Sequence, residues 1–377
     1  MLSKFHPHAS GAERQALAQG VELVRRGHRV HVVTQAIAGC PSDESIGGVE
    51  VHRWVRPVRF GPLFGVTFVA GVARALRRLR PEYDLIHTHQ GLWEAISTGF
   101  GRTWLGGAPT LIQPASSGYY GEAEELARTK GFDGLRRLIL RNTAFAAISA
   151  DIEDQWRALG VPDRKMVRTA SGVDAEHFRP GPSLVESGLP PRPRVVFTGR
   201  LHPQKNLDLL LDAWPTVTAA TGATLVLVGN GPERSRLEAR AAELGVAGHI
   251  VFTGAVADPA EHLRAADVFV LPSLAEGMSN SLLEAMATGL PCLASDIGGN
   301  TDLLGGGVGI LVSPPTAPAW AQALIGLLRD REGSVNMGRA ARRRIEETYS
   351  LPRVVDRYLV LYQRLMDGLP INDAYDS

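Results

Sequence analysis

Strand-like and helix-like runs alternate along the first half of this chain, stop at a break, and alternate again. Residues 29–34, 84–89, 110–112 and 145–149 are short apolar runs that read as strands. Between them lie segments with helical spacing, such as Glu13 to Arg26, where Ala16, Leu17, Gly20, Leu23 and Val24 form one stripe. Basic residues and Gly27 then close that helix. The break is RPGPSLVESGLPPRPR, residues 179–194, whose proline and glycine content reads as a linker. After it, residues 195–197, 224–228, 250–252, 268–271 and 291–294 are five more strand-like runs with helices between. Alternation of this kind predicts parallel sheets covered by helices on both faces. The expected fold is therefore α/β, with two Rossmann-like doubly wound domains facing each other across a cleft at the carboxyl ends of their strands. Residues 1–178 make the first domain and 195–351 the second. A last helix, 352–368, carries Val354, Val355, Tyr358, Leu361, Tyr362 and Leu365 on one side. It either caps the second domain or returns to the first; spacing does not decide.

Composition excludes several classes of function. With 377 residues there is enough chain for two cores. A net charge of +1 gives no bulk attraction to nucleic acid. Cys40 and Cys292 are too far apart in sequence to suggest a disulfide framework or a C-x-x-C metal pair, so a reducing cytoplasm is the expected setting. No 18-residue apolar run is present, and no metal-ligand cluster stands out.

The chemistry concentrates at three strand-to-helix turns in the second half. In VFTGRLHPQKN, Gly199 and Arg200 end a strand and Lys205 precedes a helix that begins near Asn206. Two cations beside a helix start suit a diphosphate, although solvated surface cations fit the same pattern. Gly229 and Gly254 end two further strands, in LVGNGPE and VFTGAV, where a loop through Val256 can offer backbone groups to a planar base. In EGMSNSLLEAMATGLP, Glu276 precedes a helix and Glu284 lies on its first turn, with Gly277, Met278, Ser279 and Asn280 in the loop between. Acids near a helix start are commonly there for the dipole. They also suit vicinal hydroxyls, which a carboxylate accepts in pairs.

Taken together, GRLHPQKN, LVGNGPERSRLE, VFTGAVAD and EGMSNSLLEAMATGLPCLASDIGGN, in this order, resemble the C-terminal domain of the retaining GT-B glycosyltransferases of family 4. The first half is similar more loosely, through FHPHASGAERQALAQGVELVRRGHRVHVVT, DLIHTHQ, AAISADIEDQWRALGV and SGVDAEHFRP. The resemblance implies a metal-independent glycosyltransferase with a nucleotide-diphosphate sugar, expected to be a UDP-sugar, as co-substrate and no cofactor. It implies that Glu284 holds the ribose and Glu276 meets the donor sugar beside the Gly277–Asn280 amides. Arg200 and Lys205 then neutralise the diphosphate.

The resemblance places the acceptor on the first domain, be it a saccharide, a lipid-linked molecule or a small molecule. Gly11 follows Ser10 after a short first strand, Met1–Phe5, where relatives carry two glycines that admit donor phosphates. His87 and His89 end a strand and are expected on opposite faces. His89 is the candidate catalytic and acceptor residue, and Ser116, Ser117, Tyr119 and Tyr120 are candidate lining residues. Two basic stretches, 73–80 and 135–141, fit solvated helix faces or a weak peripheral contact with an anionic membrane. A sugar-nucleotide epimerase and a non-catalytic sugar-nucleotide binder are the rival readings.

Overall fold

The computed structural model of the protein describes residues 5, 11–58, 60–61, 63–80, 82–101, 106–118, 121–129 and 131–371. The chain forms two compact units, Met1–Gly172 with Leu351–Ser377, and Val173–Ser350.

In the first unit, among the described residues, β1 (His31–Gln35), β2 (Asp43–Ile46) and β3 (Val49–Val55) form one sheet in the order β1-β3-β2. Strands β2 and β3 are antiparallel and joined by Gly47 and Gly48, at φ 59° and 83°. A two-residue turn with both central residues at positive φ matches the twist of a hairpin, and glycine adopts it without strain. A second sheet is parallel and runs β4 (Ile86–Thr88), β5 (Thr110–Ile112), β6 (Ala144–Ala147), β7 (Met166–Arg168). Helix Gly11–Arg25 covers one face of β1 and β3, over Phe5, Val32, Val49 and Val51. Helix Leu63–Leu79 covers the other, where Phe68, Val72, Ala75 and Leu76 meet Val33 and Val55.

Two expectations change here. The stripe expected on Gly11–Arg25 does pack on the sheet, with Ala16 and Gly20 buried and Leu17 and Val24 against the core, but Glu13, Gln15, Gln19 and Glu22 are buried as well. Gln15 explains part of this, since its amide donates to the Gly172 carbonyl (2.7 Å) and accepts from the Gly172 N–H (3.0 Å). The polar side of the helix is therefore an interior side. The open question about the last helix also resolves. Leu351–Met366 packs in the first unit, where the Tyr358 hydroxyl donates to Gln113 (2.7 Å) and Arg26 pairs with Asp356 (2.5 Å).

The second unit holds one all-parallel sheet of β8 (Arg194–Thr198), β9 (Thr224–Val228), β10 (Ile250–Gly254), β11 (Val268–Leu271), β12 (Cys292–Ser295) and β13 (Ile310–Val312). Its order is β10-β9-β8-β11-β12-β13. β8, β9, β11 and β12 are buried at every position, as strands covered on both faces must be. Strand order reverses between β8 and β11, which places a topological switch point at their carboxyl ends.

Residues 179–194, expected as a linker, lie within this unit. Ser183 donates to the Glu261 carbonyl (2.7 Å), and the buried Arg194 pairs with Glu186 (2.8 Å). The Arg194 N–H reaches Asp267 (2.7 Å). Proline and glycine here shape a strap that runs along the unit rather than a free tether.

Candidate functional site

The switch point is built from the two loops that leave β8 and β11. After Gly199 and Arg200, Pro203–Lys205 makes one short 3-10 turn. His202 caps it, its Nδ1 accepting from the Gln204 N–H (3.3 Å). Asn206 then turns at φ 49°, which asparagine tolerates, and helix Leu207–Thr221 begins. Gln204 ties this loop to the one after β11: its carbonyl accepts from the Leu274 N–H (2.9 Å) and its side chain donates to the Ala275 carbonyl (2.8 Å).

These cross-loop bonds bring Lys205 and Glu276 together, 71 positions apart in sequence. The Lys205 ammonium forms an ion pair with Glu276 Oε1, and Ser273 donates to the same oxygen (2.6 Å). Glu276 is 9% exposed, so its charge is held by those donors rather than by water. Arg200 stands exposed on the same loop and makes no ion pair with any described residue. The site thus presents one cation already paired and one without an internal counter-charge.

Glycines set the backbone around this pair. The Gly199 N–H donates to the Val228 carbonyl (2.9 Å), Leu201 N–H to Asn230 (3.0 Å), and Gly229 N–H to Gly254 (2.9 Å). A Cβ on Gly229 would stand 1.8 Å from the Gly199 oxygen. Gly199, Gly229 and Gly254 therefore lace three successive loops together. Val256 is half-buried just beyond them.

The loop through Gly277, Met278 and Ser279 is buried, and Ser279 caps helix Asn280–Ala287, accepting from the Leu282 N–H (3.4 Å). Glu284 is buried and lies in the second turn of that helix, not the first as expected. The dipole acts within the first turn, so it does not explain this carboxylate.

The carboxyl ends of β4 and β5, in the first unit, look different. β4 stops at Thr88, and the His87 and His89 rings lie together at 4.2 Å between centroids, since positions two apart share one face of an extended chain. The expected split to opposite faces is thereby corrected. The His87 Nδ1 bonds the Tyr362 hydroxyl (2.7 Å), which makes it a docking residue for the last helix. Burial pushes the His87 imidazole down to about 3 and the His89 imidazole well below its ordinary range. Both are neutral at pH 7. Such an imidazole is a poor base, so His89 is better suited to hydrogen bonding than to taking a proton.

Ser116 and Ser117 sit in the loop after β5, organised by a residue the motifs did not single out. The buried Glu122 accepts from the N–H groups of Ala115 (3.1 Å), Ser116 (3.1 Å) and Gly91 (3.3 Å). Burial raises its carboxyl above the ordinary value, and these backbone donors oppose the rise. Its signal was faint, one acid among three in GEAEE. Gly11 is exposed at the start of its helix. Ser10, Tyr119, Tyr120 and all of the short first strand except the buried Phe5 lie outside the described residues.

One group of potential metal ligands, which the sequence did not show, stands together among the described residues. His31, Glu50 and His52 bring ligand atoms within 4.8 Å of one another. Strand pairing, not sequence spacing, assembles them.

Residues 9–177 match the model of Glycosyltransferase Family 4, and residues 192–330 that of Glycosyl transferases group 1. The D-inositol 3-phosphate glycosyltransferase of Nocardia farcinica is 32% identical, over 88% of this chain and 79% of the relative. The chain belongs to glycosyltransferase family 4. The GDP-mannose-dependent alpha-(1-6)-phosphatidylinositol monomannoside mannosyltransferase of Mycobacterium tuberculosis is 31% identical, over 93% and 91% of the two chains. This family 4 enzyme has the GT-B fold. Sucrose-phosphate synthase from Thermosynechococcus elongatus matches it with TM-score 0.81 over 96% of this chain and 94% of its own, at 23% identity. Anabaena HepE, solved with UDP and glucose, matches with TM-score 0.79 over 95% and 97%, at 19% identity.

Proposed function

We propose that this glycosyltransferase moves a sugar, with retention of anomeric configuration, from a nucleotide-diphosphate sugar to an acceptor hydroxyl. The observation that carries the reading is the Lys205–Glu276 pair at the β8/β11 switch point, with exposed Arg200 on the same loop. Diphosphate recruits Arg200 and Lys205, which stabilise the charge that grows as the anomeric bond breaks. Glu276, released in part from Lys205, faces the donor sugar. Glu284 holds the ribose, with Gly199, Gly229, Gly254, Val256 and the Gly277–Asn280 loop shaping the pocket.

Because Lys205 and Ser273 both donate to Glu276 Oε1, this carboxylate is better placed to stabilise positive charge than to attack carbon. That favours front-side transfer, in which the leaving phosphate takes the acceptor proton, over a covalent intermediate on Glu276. His89, Ser116, Ser117 and Tyr119 orient the acceptor.

The donor is a UDP-sugar in this reading, and a GDP-sugar is the competing outcome, since one 31% identical relative is named GDP-mannose-dependent. Two relatives are named for inositol-bearing molecules, so an inositol-bearing acceptor is the first to try. The test is turnover of UDP- and GDP-sugars with and without inositol phosphate and phosphatidylinositol. Acceptor-dependent release of nucleoside diphosphate with an α-linked product supports the reading. Interconversion of donor sugars without transfer makes the protein an epimerase; binding without turnover makes it a sensor.

Weak contact with an anionic membrane is a second reading. It is favoured by Phe60, Leu63 and Val66, exposed at 75%, 50% and 67% around the start of helix Leu63–Leu79, whose far end carries exposed Arg74, Arg77 and Arg78. Arg78 also stacks over Trp54 (4.1 Å), so the basic stretch serves packing too. Among the described residues no helix is long and apolar enough to cross a membrane. Co-sedimentation with phosphatidylglycerol vesicles but not phosphatidylcholine vesicles supports this contact; equal behaviour with both removes it.

A further inference from the structure

One face of the β1-β3-β2 sheet gathers residues that the transfer chemistry does not use. Glu50 and His52 are two apart on β3, so both point to the same side. On the parallel neighbour, His31 stands opposite Glu50; on the antiparallel neighbour, Asp43 stands opposite His52. The His31 Nδ1 lies 3.1 Å from the His52 Nε2 and 3.3 Å from a Glu50 carboxylate oxygen. Ligands of a tetrahedral zinc ion, bonded at about 2.0–2.1 Å, stand roughly 3.3 Å from one another. The three donor atoms are thus already at the spacing that one ion imposes.

The far side of the His52 ring is also arranged for this, and a carboxylate lies near that of His31. Asp43 accepts from the His52 Nδ1 (2.7 Å), which leaves the Nε2 as a lone pair facing the cluster. A Glu82 oxygen lies 4.0 Å from the His31 Nε2, a buried nitrogen with no hydrogen-bond partner among the described residues. Carboxylates behind the distal nitrogens fix the tautomer and orientation of metal-binding histidines. The His31 and His52 side chains are 8% and 11% exposed, whereas Glu50 is 58% exposed and opens one side to solvent. That leaves room for a water as fourth ligand.

We propose that His31, Glu50 and His52 bind one divalent transition-metal ion, of the zinc class, on this face. Two imidazole nitrogens and one carboxylate oxygen are borderline donors that suit zinc and cobalt over magnesium or calcium. His31 begins β1, so the ion sits at the amino-terminal end of that strand, whereas His89 follows the carboxyl end of β4. The site ties β1 to β3, with β2 joined through Asp43 on the His52 ring, and takes no part in sugar transfer. Its rival is a plain hydrogen bond, with the two imidazoles sharing one proton.

The test uses the full chain, stripped with a chelator and titrated with Zn²⁺ by calorimetry and with Co²⁺ by visible absorption. The expected result is one ion per chain, a rise in Tm with Zn²⁺, and Co²⁺ bands of tetrahedral intensity. His52→Ala weakens binding about a hundredfold. Glu50→Gln, at an exposed position that leaves the fold intact, weakens it about tenfold and decides the matter if His52→Ala does not fold. His177→Ala, at an exposed histidine paired with Asp258, leaves binding unchanged. The proposal is overturned if the chain retains no ion, or if wild type, Glu50→Gln and His52→Ala bind alike.

Discussion

The strand ends of the two units are built on opposite electrostatic plans. In the second unit, charged groups are held near the surface by loop-to-loop hydrogen bonds: Lys205 on Glu276, Arg200 exposed, Gln204 bridging. In the first, the polar groups are buried and served from within: His87 by Tyr362, Glu122 by three backbone N–H donors, His89 as a neutral ring against His87. A site that meets a diphosphate needs cations that can exchange an internal partner for a ligand. A site that meets a neutral hydroxyl needs shape and hydrogen bonds, and charge there would cost desolvation without return. On the proposed reading, the plan of the second unit favours recognition of one fixed charged group, and that of the first unit leaves acceptor choice to packing.

The comparison breaks most sharply at the cations. Lys205→Ala and Arg200→Ala should each lower kcat by at least about a hundredfold, ~2.7 kcal/mol of transition-state stabilisation. Thermal melts must run beside the rates, because Lys205→Ala also strips a buried carboxylate of its partner. Near-normal turnover in both folded variants would remove the diphosphate role.

Next in size are the laced glycines. Gly229→Ala puts a methyl group 1.8 Å from the Gly199 oxygen, so the loops must part, at about 3 kcal/mol or more. Gly248→Ala, with nothing within 4 Å, should leave denaturant midpoints unchanged. Equal midpoints for the two variants would show that these loops are not close-packed.

The first unit should reveal its buried rings through pH. The folded-state values of His87 and His89 are depressed, so their contribution is fully present above about pH 6.5. It is lost as pH falls toward the folded value, about 3 for His87. Between those limits the unfolded chain binds the extra proton, and stability falls by up to ~1.4 kcal/mol per pH unit for each ring. His31 and His262 are depressed as well, so the informative quantity is the difference between wild type and His89→Gln. Urea unfolding at pH 7.5, 6.5 and 5.5 should give a shallower slope for the variant; identical slopes would place His89 in water.

How much of this was readable in advance follows the same division. Among the described residues, each strand proposed from an apolar run is present, because a run of apolar residues is visible in one dimension. The cation and carboxylate loops were readable because each lies within one short motif. What joins them was not: Lys205 meets Glu276 only through the β8/β11 pairing. His31, Glu50 and His52 were hidden for the same reason, as were the docking of the last helix through Tyr358 and Tyr362 and the role of Glu122. Strand register and helix return depend on contacts far apart in sequence, which local pattern does not encode. The second, polar interior side of helix Gly11–Arg25 was hidden because buried residues with partners, such as Gln15 and Glu22, look in sequence like surface ones.

The central claim is that Glu284 binds donor while Glu276 acts on the transition state. Ribose contacts do not change during transfer, so Glu284→Gln should weaken donor affinity about tenfold and leave saturated turnover largely intact. Positive charge grows at the anomeric carbon beside Glu276, so Glu276→Gln should depress kcat about a hundredfold with little change in affinity. The decisive measurement is donor Kd by calorimetry beside kcat for both variants. The account predicts that affinity falls for Glu284→Gln and turnover falls for Glu276→Gln. The reverse pattern, turnover lost at Glu284 and affinity lost at Glu276, would contradict it and turn the donor end for end in the site.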